Sequence, residues 1–251
     1  MSIIGLLATR SLGIGASSSH RGGEAYPSMN RGKKCIIIGT GISTTPARLA
    51  LINSDVNDGD YIILVGNNND ALKALVEFAR QVYQDLNIEV KPITINTQVS
   101  LADTVSTLRG MIEANAPCSV TIGIAGDKWI TTILSFLAMT LATVGGFTNI
   151  SINRVFIMPG EKGEPVNWPI VPRLIDLNLI EYRVLRLICS GYSLAKEVVN
   201  GYVSKFNETI YLQAIERVLA KLRGKGIINS KLVSKALMHE ATALGRLIAC
   251  N

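Results

Sequence analysis

The sequence predicts an α/β protein, a Rossmann-like parallel sheet followed by an all-helical C-terminal domain. Three observations predict it. From Lys34 to Met158, short aliphatic runs alternate with amphipathic helical patterns. A stretch rich in proline and glycine, Pro159-Gly-Glu-Lys-Gly-Glu-Pro165 with Pro169 and Pro172 behind it, ends that alternation. The charge is also divided: residues 1–172 balance 13 basic against 13 acidic side chains, whereas residues 173–251 carry 12 basic against 6 acidic. The whole surplus of +6 therefore lies in the last third, which suits a polyanion-binding module joined to a neutral domain.

The elements follow in order. Residues 35–39 form a buried-strand run, then Gly, Ser and Thr lead to a helix near 47–53 with Pro46 in its first turn. Residues 61–65 make the second strand, ending in Gly66-Asn-Asn-Asn69. Asp70 is expected to cap a helix whose apolar positions Leu72, Leu75, Val76, Ala79 and Val82 keep a helical period. A third strand over 90–95 precedes a helix marked by Leu101, Val105, Leu108 and Ile112. The fourth strand, over 119–124, breaks at Ala125-Gly126-Asp127-Lys128 into a helix over 130–142, and 150–158 is a further strand. Continuous apolar strands alternating with helices imply parallel pairing with helices on both faces.

Residues 159–172 read as a linker, because proline cannot continue a helix or a central strand. Beyond it, helices are expected over 179–189, over 194–199 with Ser193 as cap, over 208–223, and around 233–248, with a strand-like segment at 227–229. The long helix carries Ile210, Tyr211, Ala214, Ile215, Val218, Leu219 and Leu222 on one face. Asn207, Thr209, Gln213 and Arg217 point outward from its N-terminal half. Three helices followed by Gly224-Lys-Gly-Ile-Ile228 match a winged helix-turn-helix that binds DNA, with those outward residues meeting base edges. Lys205, Lys221, Lys225 and Lys231 are the expected phosphate contacts. A solvated helix face in a protein–protein module is the competing reading, and Glu216 on the presumed reading face speaks for it.

Other features exclude classes of function. The four cysteines, Cys35, Cys118, Cys189 and Cys250, are widely spaced without a CxxC or a Cys/His cluster, so buried thiols in a reducing, cytoplasmic compartment are expected and no metal. Aliphatic runs of about ten residues fall short of a bilayer span, so no membrane partner is expected. Residues 1–32, rich in Gly, Ser and Arg without hydrophobic period, read as a disordered extension with Met29 as an alternative start. The two histidines, His20 and His239, form no hydrolytic constellation, and no enzyme is expected.

The turn after the first strand, Gly39-Thr-Gly-Ile-Ser-Thr-Thr45, suggests a dinucleotide fingerprint. Thr44 stands where the third glycine belongs, and Gly66-Asn67 replaces the acidic residue that would hold a ribose. NAD and FAD are therefore not expected, and no cofactor is assigned. Four strand ends nevertheless converge on one sheet edge: Gly39, Thr40, Gly41 and Ser43; Asn67 and Asn68; Asn96 and Thr97; Ala125, Gly126, Asp127 and Lys128. Such a neutral, hydrogen-bonding floor with one lysine suits a nucleotide ligand. The plain alternatives are a tight first turn and a helix cap at Asp127.

The strand and turn around Ile122–Lys128, joined to a basic C-terminal winged helix, resemble the archaeal CARF (CRISPR-associated Rossmann fold) winged-helix transcriptional regulators over residues 33–251. That resemblance implies a homodimer formed through the CARF domains, residues 33–158, with cyclic oligoadenylate, cyclic tetra-adenylate first among rings, across the two-fold axis. It implies double-stranded promoter DNA of a CRISPR locus as the partner of residues 173–251. Thr40, Gly41 and Ser43 match the family's first-strand loop, and Ala125, Gly126, Asp127 and Lys128 match its fourth-strand motif. Ala125 and Asp127 depart from it, standing where a second glycine and a Ser/Thr are common. A ring nuclease degrading its own signal is the alternative function.

Overall fold

In the computed structural model, residues 33–161 and 163–250 are described, and the expectation for residues 1–32 lies outside them. The first half alternates strand and helix: β1 (Lys34–Thr40), α1 (Thr45–Ile52), β2 (Tyr61–Gly66), α2 (Asn69–Val82), β3 (Glu89–Thr94), α3 (Leu101–Glu113), β4 (Cys118–Ile124), α4 (Lys128–Thr148) and β5 (Ile150–Ile157). A short β6 (Val166–Asn167) follows. The strands form one sheet of six in the order β3-β2-β1-β4-β5-β6. All neighbours are parallel except β6, which pairs antiparallel with β5. This is a Rossmann-like α/β sheet. The chain builds outward from β1 to β3, then crosses back to place β4 beside β1, so the strand order reverses between β1 and β4.

Alternation within the strands divides the core. Cys35, Ile37, Ile63, Val120 and Ile122 face α3 and α4, while Ile36, Ile38, Ile62, Leu64 and Phe156 face α1 and α2. α4 runs 21 residues, longer than the 130–142 expected, and is apolar enough by length and composition to cross a membrane. Here it is a core helix. Ile130, Ile133, Leu134, Leu137, Ala138, Leu141 and Val144 form a helical stripe that is almost wholly buried. Asp127 caps its start, and Asn149 ends it in the left-handed conformation.

The proline-rich segment is not a bare linker, because β6 lies within it and adds a strand to the sheet edge. Beyond it come α5 (Leu179–Cys189), α6 (Ala195–Phe206), α7 (Leu212–Gly224), β7 (Ile228–Val233), β8 (Ala236–Ala241) and α8 (Ala243–Ala249). The C-terminal region is therefore not all-helical. Where a helix around 233–248 was expected, β7 and β8 form an antiparallel hairpin over Ser234-Lys235, both at positive φ. Two consecutive left-handed residues are what a two-residue hairpin turn requires, and neither is the glycine or asparagine that signals it in sequence. A single antiparallel bridge from Leu194 to Met238 extends the hairpin toward the start of α6. α6 also runs to Phe206, through residues expected to be a loop, before Asn207 turns left-handed.

α5 begins with a reciprocal capping box between Asn178 and Glu181. Glu181 is nearly buried and holds Lys225 at 2.8 Å. Burial alone pushes its carboxyl upward, but Lys225 and the Asn178 backbone N–H outweigh that and hold it below the usual carboxylate range.

The cysteines depart from expectation. Cys35 and Cys118 are buried free thiols, but Cys189 and Cys250 form a disulfide across 61 residues of sequence. Only the fold brings the end of α5 beside the end of α8, so spacing along the chain gave no sign of it. Around it lies a buried polar knot. Ser106 and Arg109 of α3 donate to the Cys250 carbonyl. Arg109, fully buried, also pairs with Glu113, which accepts Arg186 of α5 at 2.9 Å. The apolar core runs on from α3 and α4 into α5, α6, α7 and α8 through Val184, Leu187, Val198, Leu222 and Ile248.

Candidate ligand site and nucleic-acid face

The sheet's reversal point is built from two loops that touch backbone to backbone. A side chain at Gly39 would sit 2.4 Å from the Ala125 carbonyl oxygen, and one at Gly41 3.1 Å from the Asp127 nitrogen. Gly126, at φ +113°, would bring a Cβ to 2.9 Å from the Thr40 carbonyl carbon. The β1 and β4 loops therefore interlock, and their floor is main chain, closed to a side chain at Gly39 and Gly126 and tight at Gly41. Such bare backbone at the start of a helix, in the crevice where strand order reverses, is where open α/β sheets receive phosphates.

The surrounding side chains divide into struts and rim. Asp127 Oδ1 accepts the Ile130 N–H as the α4 cap, and its Oδ2 accepts Asn67 Nδ2 at 2.5 Å. Both oxygens are engaged, so Asp127 is a strut tying the β2 loop to the β4 loop. Asn68, and not Asp70, caps α2 by accepting from Ala71 N–H. Thr40 is buried and donates to the Gly41 carbonyl at 3.3 Å. Ala125 is buried on the α1/α2 side of the sheet. The exposed rim is Ser43, Asn96, Thr97 and Lys128. Of these, Asn96 accepts from the Gln98 N–H and shapes its own turn.

Two further residues, Thr94 and Glu161, join this edge that sequence reasoning missed. Thr94 donates to Asn69 at 2.7 Å, linking the ends of β3 and β2. Ser43 donates to Glu161 at 2.7 Å. Glu161 lies 118 residues away in the proline-rich segment, so only the fold reveals the contact.

The second surface lies on α7. Ile215, Leu219 and Leu222 face the core, while Gln213, Arg217 and Lys221 form an exposed row at successive four-residue steps. Asn207 and Thr209 are exposed in the turn before α7, which starts four residues later than the 208 expected. Glu216 lies off that row. It lines a cleft of about 640 Å³ between α7 and the hairpin, together with Lys196, Arg223 and Lys235. Two expected phosphate contacts are otherwise engaged: Lys225 is held by Glu181 and the Asp176 carbonyl, and Lys231 pairs with Glu240 across the hairpin at 2.7 Å. Lys205 lies at the far end of α6, 3.2 Å from Ser190.

His239 of β8 is buried, and its Nδ1 is 2.8 Å from the Ser230 hydroxyl. Burial lowers its pKa below the ordinary imidazole value, and Arg223 lowers it further. The folded chain thus resists a proton that the unfolded chain accepts below about pH 6.5. Stability from this site is present above that pH and is lost on acidification through the folded value. Thermal melts of the wild type should fall more steeply between pH 7.5 and 5 than those of His239→Gln. Parallel curves would exclude the site as the cause.

No family model matches the sequence, and no curated protein matches it. Among solved structures, the chain is similar to L-sorbose reductase from Gluconobacter frateurii, described in complex with NADPH and L-sorbose. The identity is 13%, over 48% of this chain and 67% of the reductase, with a TM-score of 0.27. At that score the likeness carries no argument. The fold class stands on the strand order and pairing of the sheet itself.

Proposed function

We propose that the protein is a ligand-responsive DNA-binding regulator of the CARF winged-helix type, acting as a homodimer. In this reading α5, α6 and α7 with the β7–β8 hairpin are a winged helix-turn-helix, and α7 enters the major groove. The observation that carries the proposal is the exposed row Gln213, Arg217 and Lys221 on the helix directly preceding a hairpin, with Leu194 bridging to that hairpin. Thr209 and Gln213 offer hydrogen bonds to base edges, Arg217 suits bidentate recognition of guanine, and Lys221 suits phosphate. The effector is cyclic oligoadenylate, with cyclic tetra-adenylate as first choice. Its phosphates rest on the interlocked glycine loops and Lys128, and its bases and riboses meet Ser43, Asn96 and Thr97. Two copies sharing one ring would change the spacing of their α7 helices, which is how an effector would alter operator affinity.

Mobility shifts with CRISPR-locus promoter duplex, with and without cyclic tetra-adenylate, test both halves. Arg217→Ala should weaken specific binding by about 10- to 100-fold, corresponding to about 1–3 kcal/mol. Lys128→Ala should weaken the ring by a similar factor and leave unliganded DNA binding unchanged. Absence of any shift at moderate salt would remove the regulator reading, and unchanged ring affinity in Lys128→Ala would remove the site.

A further inference from the structure

A separate cleft of about 500 Å³ opens where α3 and α4 end against α5 and α6. Its volume falls within the range of small-molecule sites. Three cations line it, Arg183 and Arg186 of α5 and Lys205 of α6, against one carboxylate, Glu113. Arg183 and Arg186 sit three residues apart on one helix face. Arg183 donates through Nη1 to Glu208 and Tyr202, and its guanidinium lies 4.7 Å from the centre of the Phe206 ring. Arg186 donates through Nη1 to Glu113 and Tyr182. Among the described residues, the Nε and Nη2 donors of both have no hydrogen-bond acceptor. Lys205 donates to the Ser190 hydroxyl at 3.2 Å and lies 5.4 Å from the centre of the Tyr192 ring, and Ser190 itself donates to the Arg186 carbonyl at 2.9 Å. Glu113 is already held by Arg109 and Arg186, so its charge is compensated. Phe147 also lines the cleft and stacks on Tyr182, with ring centres 5.1 Å apart.

We propose that this cleft binds a compact phosphate-bearing small molecule. Phosphate oxygens take the unused guanidinium donors of Arg183 and Arg186 and the Lys205 ammonium, a fork geometry to which arginine is suited. Phe147 offers an apolar wall to any planar group attached to the phosphate. The placement makes the site regulatory in character. α4 begins at the glycine loops of the sheet edge and ends at Thr148 and Asn149 in this cleft, about 30 Å away. A ligand here would brace α5, the first helix of the basic region, against the far end of the helix that starts at the other site.

Calorimetric titration of the full chain at low salt with pyrophosphate, and separately with adenosine monophosphate, tests the proposal. Both should bind, and a preference for the nucleotide would show that the aromatic wall is used, whereas equal affinity would assign the site to phosphate alone. Lys205→Gln, an exposed change that should leave the melting temperature unaltered, should weaken both by about tenfold. The Arg183→Gln/Lys205→Gln pair should abolish binding in this cleft, leaving only what the sheet edge takes up. Lys128→Ala should leave the Lys205-dependent part of these titrations unchanged, so failure of the sheet-edge reading is separable from failure here. The proposal is overturned if neither probe binds at millimolar concentration or if folded Lys205→Gln binds as the wild type does. Displacement of the probe by short duplex DNA would equally overturn it, by assigning these cations to the nucleic-acid face.

Discussion

Reduction of the Cys189–Cys250 disulfide is expected to destabilise the protein by about 4 kcal/mol. The bond closes a loop over a sequence separation of 61 residues, and in the chain-entropy account a loop of that length restricts the unfolded ensemble by roughly this amount. In a chain of this size the melting temperature should drop by roughly 10 °C. Guanidinium denaturation with and without a dithiol reductant, compared with Cys250→Ser, measures it. Coincident curves would mean that the bond contributes nothing. The loop it closes holds α6, α7, the hairpin and α8, so reduction should loosen the basic region before the sheet. Amide hydrogen exchange in α8 should then rise ahead of exchange in β1 and β4.

Arg109→Met should cost a comparable 3–5 kcal/mol, the penalty of breaking a fully buried ion pair from one side. Arg109 reaches both Glu113 and the Cys250 carbonyl, and the substitution strips a charged partner from each. Arg186 retains its hold on Glu113, which keeps the loss toward the lower end. Because Arg109 and the disulfide act on the same residue, Cys250, the combination with Cys250→Ser should fall short of the sum of the two by at least about 0.5 kcal/mol. Strict additivity in a double-mutant cycle would show that the knot and the disulfide are energetically separate. A loss below 1 kcal/mol for Arg109→Met alone would show that the pair is dispensable.

The sheet was legible from sequence because its strands are continuous aliphatic runs separated by helices of regular period. Ile36 to Ile38 and Ile62 to Val65 are buried on both faces and need no partner to be recognised. The hairpin was not legible. Leu232, Val233, Leu237 and Met238 are substantially exposed, so no inside–outside alternation marks β7 and β8, and the turn between them lacks glycine. Helical spacing in residues 233–248 therefore suggested one helix, where only Ala243–Ala249 is helical and the hairpin takes the residues before it. At the sheet edge, the loops that converge could be identified from strand ends alone, but which residues brace and which remain exposed could not. Asp127 fitted a ligand role poorly because it is occupied by Asn67 and the α4 cap. Glu161 gave no signal, since its link to Ser43 depends wholly on the path taken by the proline-rich segment.

The interlocked glycines at the reversal point have a consequence for how recognition there could change. A floor of main chain has no side chain to exchange: Gly39 and Gly126 admit none, and one at Gly41 would crowd the β4 loop backbone. Under the proposed function, a new ligand preference would arise at the periphery, through Ser43, Thr97 and Lys128, which are exposed. Anchoring and selectivity are thus written in different parts of the loops. If the proposed site is the true one, that separation makes the rim the place to redirect it toward other anions while the sheet beneath is left intact.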